Sequence, residues 1–257
     1  MLVRAFALSW RMRSIVSLAV LLLALTACST APRAGARPPG AMPPAGASFD
    51  PNQLAKTDID RVADAYREEI FVGLRVLAEK LYRRNPGEWK KSGATDINAA
   101  VERLTDPAHA WRFAELDGRY GTEAMQLAFR EDFRGDRVLA LIGGLGGMMQ
   151  SAFNDKTEFY MTDDLDPQKL YNSARNVEIA VWRLSHARRA DGNLFLLSND
   201  AGKAGEPANL SFEREFGKII GHFDLLSHIV ADKSNRTIVK AIQSLATAVF
   251  LPVVAIK

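Results

Sequence analysis

Four histidines, His109, His186, His222 and His228, are the side chains of this chain best suited to proton transfer or metal binding. Their spacing makes neither an HExxH pair nor another close ligand set. No Gly-x-Ser-x-Gly elbow and no Ser-x-x-Lys pair marks a nucleophile. A carboxylate pair for glycoside hydrolysis would form only in the fold, because the two acids come from separate elements. The acids Asp155, Glu158, Asp163, Asp164 and Asp166 could offer oxygens to a hard cation such as Ca²⁺. They lack the Gly and the late Glu of an EF-hand loop, and acids before a helix also stabilise its N-terminal dipole. Capping is therefore the expected role. No catalytic residue, metal ligand or cofactor is assigned.

Two weaker patterns point to a surface for a ligand or a partner. Tyr171, Arg175, Glu178 and Trp182 recur at i, i+4, i+7 and i+11, a polar-aromatic stripe along one helix face. The plainer account of the same residues is an interhelical ion pair with flanking aromatics. Gly143, Gly144, Gly146 and Gly147 lie inside an apolar helical run, where each glycine costs about 0.8–1.0 kcal/mol relative to alanine. Helical spacing puts Ala140, Gly143, Gly144, Gly147 and Ser151 on one face, and Val138, Leu141, Leu145, Met148 and Ala152 on the other. The small face admits the close approach of another backbone, or forms a groove for a lipid tail. Residues 138–153 would extend about 24 Å as a helix, short of the roughly 30 Å core of a bilayer. No strand context or following Lys-Ser/Thr supports a dinucleotide or phosphate loop there. Arg83, Arg84, Lys90 and Lys91 surround Trp89, a pattern suited to a helix C-terminus or to anionic headgroups. Arg134-Gly135-Asp136 spells a cell-adhesion tripeptide at a helix junction, too short to carry an assignment.

The elements that must position these residues read as helices almost throughout. Thr57-Asp58-Ile59-Asp60 has the form of a capping box. Ile59, Val62, Tyr66, Ile70, Leu74, Leu77 and Leu81 follow at spacings of three and four, and Asn85-Pro86-Gly87 stops the run. Further helices are expected over Asp96–Leu104, from near Thr122, over Asp136–Asn154, and from Asp166-Pro167 to Asp191-Gly192. The C-terminal third predicts Ser211–Ile220, His222–Val230 and Ser234–Leu251, the last ended by Pro252. Only Thr157–Met161 and Asn193–Leu197 have the composition of short strands. The expected fold class is all-α, a single domain of about seven helices.

The N-terminal end is organised differently. The chain has 257 residues and a formal charge of +3, with 47% apolar and 25% charged residues, an ordinary globular composition. Arg4, Arg11 and Arg13 precede the apolar run Ile15–Leu25, the layout of a secretory signal. Leu25-Thr26-Ala27-Cys28 then resembles the lipobox of bacterial lipoproteins: a branched apolar residue, two small ones, then the chain's single cysteine. The resemblance implies that residues 1–27 are a signal peptide and that Cys28 becomes the lipidated N-terminus. Ser29, in place of the Asp that favours inner-membrane retention, implies the outer membrane and a periplasm-facing body. Residues 28–49 read as a linker, with Pro32, Pro38, Pro39, Pro43 and Pro44 among Ala and Gly. Residues 50–257 are the expected globular domain.

Removal of the signal takes away three arginines and no acid, leaving the mature chain formally neutral. That excludes the basic field needed for nucleic acid. The body resembles a family of uncharacterised proteobacterial lipoproteins in Thr157-Glu158-Phe159-Tyr160 and in Asp166-Pro167-Gln168-Lys169-Leu170-Tyr171-Asn172, a resemblance that implies no activity and transfers no site. The expected role is that of a lipid-anchored cell-envelope protein, attached to the membrane through Cys28 and acting by contact with an envelope protein. The alternatives are a carrier of an apolar or lipid ligand along the glycine face, and a periplasmic hydrolase of cell-wall or lipid material.

Overall fold

Thr57 starts the first long helix by a reciprocal exchange. Its hydroxyl accepts from the Asp60 backbone N–H, and the Asp60 carboxylate accepts from the Thr57 backbone N–H at 2.7 Å. In this computed structural model, which describes residues 54–200, 208–240 and 249–253, helix α1 then runs Asp58–Arg84 and buries Ile70, Leu74, Leu77 and Leu81. The Asn85 N–H closes it on the Leu81 carbonyl, and Pro86 opens the short α2, Pro86–Lys91. Asp96 caps α3, Ile97–Thr105, and the brief α4 spans Thr122–Leu127. Asp136 caps α5, Arg137–Ala152, and Asp166 with Pro167 at the first helical position starts α6, Pro167–His186. Helix α7 covers Ser211–Ser234. Among the described residues there are seven α-helices and no strand, so the fold is all-α.

Every residue of α5 is buried, which makes it the axis of the domain. Helices α1, α3, α4 and α6 pack around it, and α7 lies against α1 and α6. The core is one contiguous cluster fed by all the long helices.

Three expectations change. Ser211–Ile220 and His222–Val230 are one helix rather than two, because Gly221 interrupts nothing. Phe212, Phe216, Ile219, Phe223, Leu226 and Val230 form an unbroken buried stripe across it. Burying each such side chain contributes roughly 1.5–3 kcal/mol, against about 1 kcal/mol for one exposed glycine. The helix expected over Ser234–Leu251 is absent from its described parts. Asn235 takes a left-handed conformation (φ 51°) that ends α7, and 236–240 and 249–253 are not helical; residues 241–248 lie outside the described residues. Asn176 holds the backbone of Leu251 through both its N–H (2.6 Å) and its carbonyl (2.8 Å), and Asn172 donates to the Pro252 carbonyl. Those bonds supply Leu251 with partners that a helix would otherwise have provided. Neither short strand forms: Leu194 makes one isolated bridge to Arg188, and the Phe159 N–H goes to the Asp64 carboxylate.

Candidate functional site

The N-terminus of α5 is the focus of a buried polar cluster. Asp136 Oδ1 accepts from the N–H groups of Val138 and Leu139, and Oδ2 accepts from the Tyr82 hydroxyl at 2.8 Å. Burial pushes the Asp136 carboxyl above the usual carboxylate range, and burial beside that carboxylate pushes the Tyr82 phenol up. Next to it Arg137, only 4% exposed, donates to the carbonyls of Ala128, Arg130 and Phe133, each at 2.8 Å. Burial, and then the neighbouring Arg189, lower its affinity for the proton. Glu88 accepts the Arg137 backbone N–H at 2.7 Å and pairs with Lys91. The cluster ties α1, α2, α5 and the 128–133 turn together. Its polar groups serve one another, which suits a fastening better than a reaction centre.

Loop 188–197 folds back over the α1–α2 junction beside this cluster and encloses a solvent-open cavity of about 420 Å³. Asn85 grips the loop twice, donating to the Leu197 carbonyl (2.9 Å) and accepting from its N–H (2.8 Å). Arg84 donates to the Ser198 carbonyl and pairs with Asp200. Arg189 enters from the loop, and Pro86, Leu194, Phe195 and Leu197 supply apolar wall.

A second depression of about 290 Å³ lies where α1, α7 and the 159–165 segment meet. Its acids are engaged: Asp60 in the capping box, Asp163 with Lys156 and the Tyr160 N–H, and Asp164 with Arg236. The hydrogen bond from Lys156 holds the Asp163 carboxyl below the usual range, which makes it a poor general acid. Asp166 caps α6 through the Gln168 N–H. Among the described residues no group of three or more His, Cys, Asp or Glu could hold a metal ion.

The residues singled out in the sequence fall in different places. Cys28, its lipobox and Ser29 lie outside the described residues. Gly143, Gly144 and Gly147 are buried rather than displayed, which corrects their reading as a ligand or partner surface. A Cβ at Gly143 would lie 2.9 Å from the Phe113 ring, at Gly144 2.5 Å from the Met125 nitrogen, and at Gly147 2.7 Å from the Tyr120 ring. Gly146 lies beneath Trp111 at 2.1 Å by the same construction. The face is filled by aromatic rings and by the backbone of α4, so the lipid groove has no room. Asp136 of the adhesion tripeptide is a buried cap.

The stripe on α6 is an interhelical ion pair. Arg175 donates to both Asp224 oxygens on α7 (2.9 and 2.8 Å) and to Glu178 at 3.1 Å, beneath the ring of Tyr171. Burial raises the Glu178 carboxyl. Trp182 stacks on His186 at 4.7 Å. Three of the four cations around Trp89 are likewise paired, Arg83 with Glu79, Arg84 with Asp200 and Lys91 with Glu88, while Lys90 lies over the ring of Trp89, which packs against the core.

His109 does a local job invisible in its spacing. Its Nε2 donates to the carbonyls of Arg103 (3.0 Å) and Leu104 (3.1 Å), and its Nδ1 accepts from the Trp111 N–H at 2.8 Å. The ring thereby holds Ala110 (φ 47°) and Trp111 (φ 61°) in the left-handed region, a conformation that strains both residues. His109→Ala is expected to cost about 2 kcal/mol of unfolding free energy in urea titration, because the turn loses three hydrogen bonds to one ring.

No sequence pattern marks the cluster at Tyr82, Glu88, Asp136 and Arg137 beyond the cap residue itself. Compared with family models, curated proteins and solved structures, the chain matches none.

Proposed function

We propose that this chain is a lipid-anchored protein of the bacterial cell envelope, held in the outer membrane through Cys28 and facing the periplasm, with a helical domain that acts by contact with another envelope protein. The observation that carries this reading is Leu25-Thr26-Ala27-Cys28 behind a basic and then apolar leader. No helix among the described residues is long and apolar enough to cross a membrane, and in this reading acyl chains on Cys28 hold the protein. The proline-rich stretch that follows would reach on the order of 60 Å in a polyproline conformation, enough to carry the domain clear of the bilayer. Leu197, Leu210 and Leu225 are exposed apolar side chains available to a partner.

Cys28→Ala is expected to abolish incorporation of a clickable fatty acid and to shift the protein from the membrane to the soluble periplasmic fraction. Labelling that persists in the variant overturns the anchor. For the contact role, a photo-crosslinking residue at Leu197, Leu210 or Leu225 should yield a discrete adduct in living cells. Adducts at none of the three overturn that part of the reading.

A further inference from the structure

We propose that the cavity between the α1–α2 junction and loop 188–197 binds an oxyanion, a carboxylate or a phosphate, carried on a small ligand. This goes beyond the anchored-protein reading and does not depend on it. The first reason is charge. The guanidiniums of Arg137 and Arg189 both lie over the Phe195 ring, at 4.9 and 5.8 Å from its centre. Arg137 lies buried behind the lining, its guanidinium on backbone carbonyls and under the influence of Glu88 and Glu131, so Arg189 is the group a ligand would meet. Arg189 makes one guanidinium hydrogen bond, from Nη2 to the Phe195 carbonyl at 3.2 Å, and its Nε has no partner. Glu88, the acid in the cavity wall, is committed to Lys91 and to the Arg137 N–H. Asp200 is committed to Arg84, Glu131 accepts from the Ala190 N–H at 3.4 Å, and Asp191, exposed and near enough to feel the charge of Arg189, accepts from the Asn193 N–H. Within the lining, Arg189 is thus a guanidinium to which no described carboxylate hydrogen-bonds, and its buried Nε is left for a ligand.

The second reason is that the walls are held without a ligand. Two hydrogen bonds from Asn85 fix Leu197, Arg84 fixes Ser198, and the Arg189 N–H closes the loop on the Asn193 carbonyl at 2.8 Å. Binding thus requires little ordering of the protein, the condition under which few contacts suffice for affinity. The third reason is shape and medium. A volume of about 420 Å³ suits a ligand with a few polar atoms and a modest apolar part. Leu194, Phe195 and Leu197 border the charge, exclude water from one side and strengthen its attraction. The planar guanidinium fork matches the two oxygens of a carboxylate or a phosphate.

The test uses the full-length protein in detergent, with inorganic phosphate and N-acetylalanine as probes and chloride at matched ionic strength as control. Arginines are modified with phenylglyoxal and located by peptide mass spectrometry, and binding is followed by calorimetry. One or both probes, but not chloride, should protect Arg189 and Arg84 while leaving exposed Arg188 reactive. Protection by phosphate alone, by the carboxylate alone, or by both identifies which oxyanion the site accepts. Arg189→Gln should weaken saturable binding about tenfold or more without changing the melting temperature. Absence of protection with either probe overturns the proposal. So does binding that is unchanged in both Arg189→Gln and Arg84→Gln. Should Arg189→Gln alter the melting temperature, protection of Arg189 in the unaltered protein decides the matter.

Discussion

Gly144→Ala is expected to lower the stability of the domain by about 4 kcal/mol and its melting temperature sharply. The added methyl would sit 2.5 Å from the Met125 nitrogen and 2.7 Å from the Gly121 carbonyl oxygen. Both are backbone atoms, one within α4 and one at the residue that caps it, so no rotamer change can relieve the clash. Relief requires α4 to move away from α5, opening the interface that the glycines create. Overpacking a core ordinarily costs about 1–3 kcal/mol and more where the obstacle cannot give. Against a total stability of roughly 5–15 kcal/mol, a loss of about 4 kcal/mol consumes most of the margin of a modest domain. Circular dichroism on heating reads the effect directly. The control is built into the same protein: Gly217 and Gly221 lie on the exposed side of α7 with nothing within 4 Å of an added Cβ. Alanine at either should raise stability by about 0.8–1.0 kcal/mol, its gain in helix propensity. A Gly144→Ala protein that melts like the parent would show that α4 does not pack where it is placed.

Arg137→Met should be nearly as damaging, for the opposite reason. The methionine fits the volume but leaves the carbonyls of Ala128, Arg130 and Phe133 without their donor, the first buried and the other two partly so. Each buried acceptor left unpaired costs about 1–3 kcal/mol, partly recovered where the turn can open to solvent. The 128–133 turn would loosen and Phe195 would lose one of its two cationic neighbours. The expected loss is about 4 kcal/mol in urea unfolding, within the range seen when one member of a buried charged network is removed. Arg137→Lys should recover only part of it, since one ammonium cannot reach carbonyls served from both guanidinium nitrogens. Equal stability of Arg137→Met and the parent would reduce the cluster to incidental contacts.

Much of the helical framework could be read from short-range signals. Thr57 with Asp60, Asp96, Asp136 and Asp166 each mark a helix start because capping involves residues two or three apart. The small face of α5 was also legible, since 3.6-residue periodicity alone puts Gly143, Gly144 and Gly147 together. What covers that face was not. Phe113, Tyr120 and Met125 come from an irregular segment and a six-residue helix whose apolar residues follow no long period. The stripe Tyr171, Arg175, Glu178 and Trp182 was visible as a pattern, but Asp224, which gives it meaning, lies 49 residues on.

The difference in the described residues at the C-terminal end has the same origin. Residues after Ser234 have helical composition, yet Asn176 and Asn172, 75 and 80 residues earlier, capture the backbone at Leu251 and Pro252. The expected division between Ile220 and His222 falls at Gly221, whose cost is local, whereas the buried stripe that crosses it depends on the packing of the whole helix.

By itself, then, the sequence determined the all-α class and the helix starts capped by Thr57, Asp96, Asp136 and Asp166, and it alone carries the basic and apolar run, the cysteine and the prolines on which the anchoring proposal rests. Those features are encoded over a few residues, where capping, periodicity and proline chemistry act without help from distant chain. Only the tertiary structure decided that the glycine face is closed, that Arg175 belongs to an ion pair, and that Arg84 and Arg189 converge on one cavity. Convergence across tens to more than a hundred residues is set by how the helices pack, and packing depends on shapes that no local pattern contains.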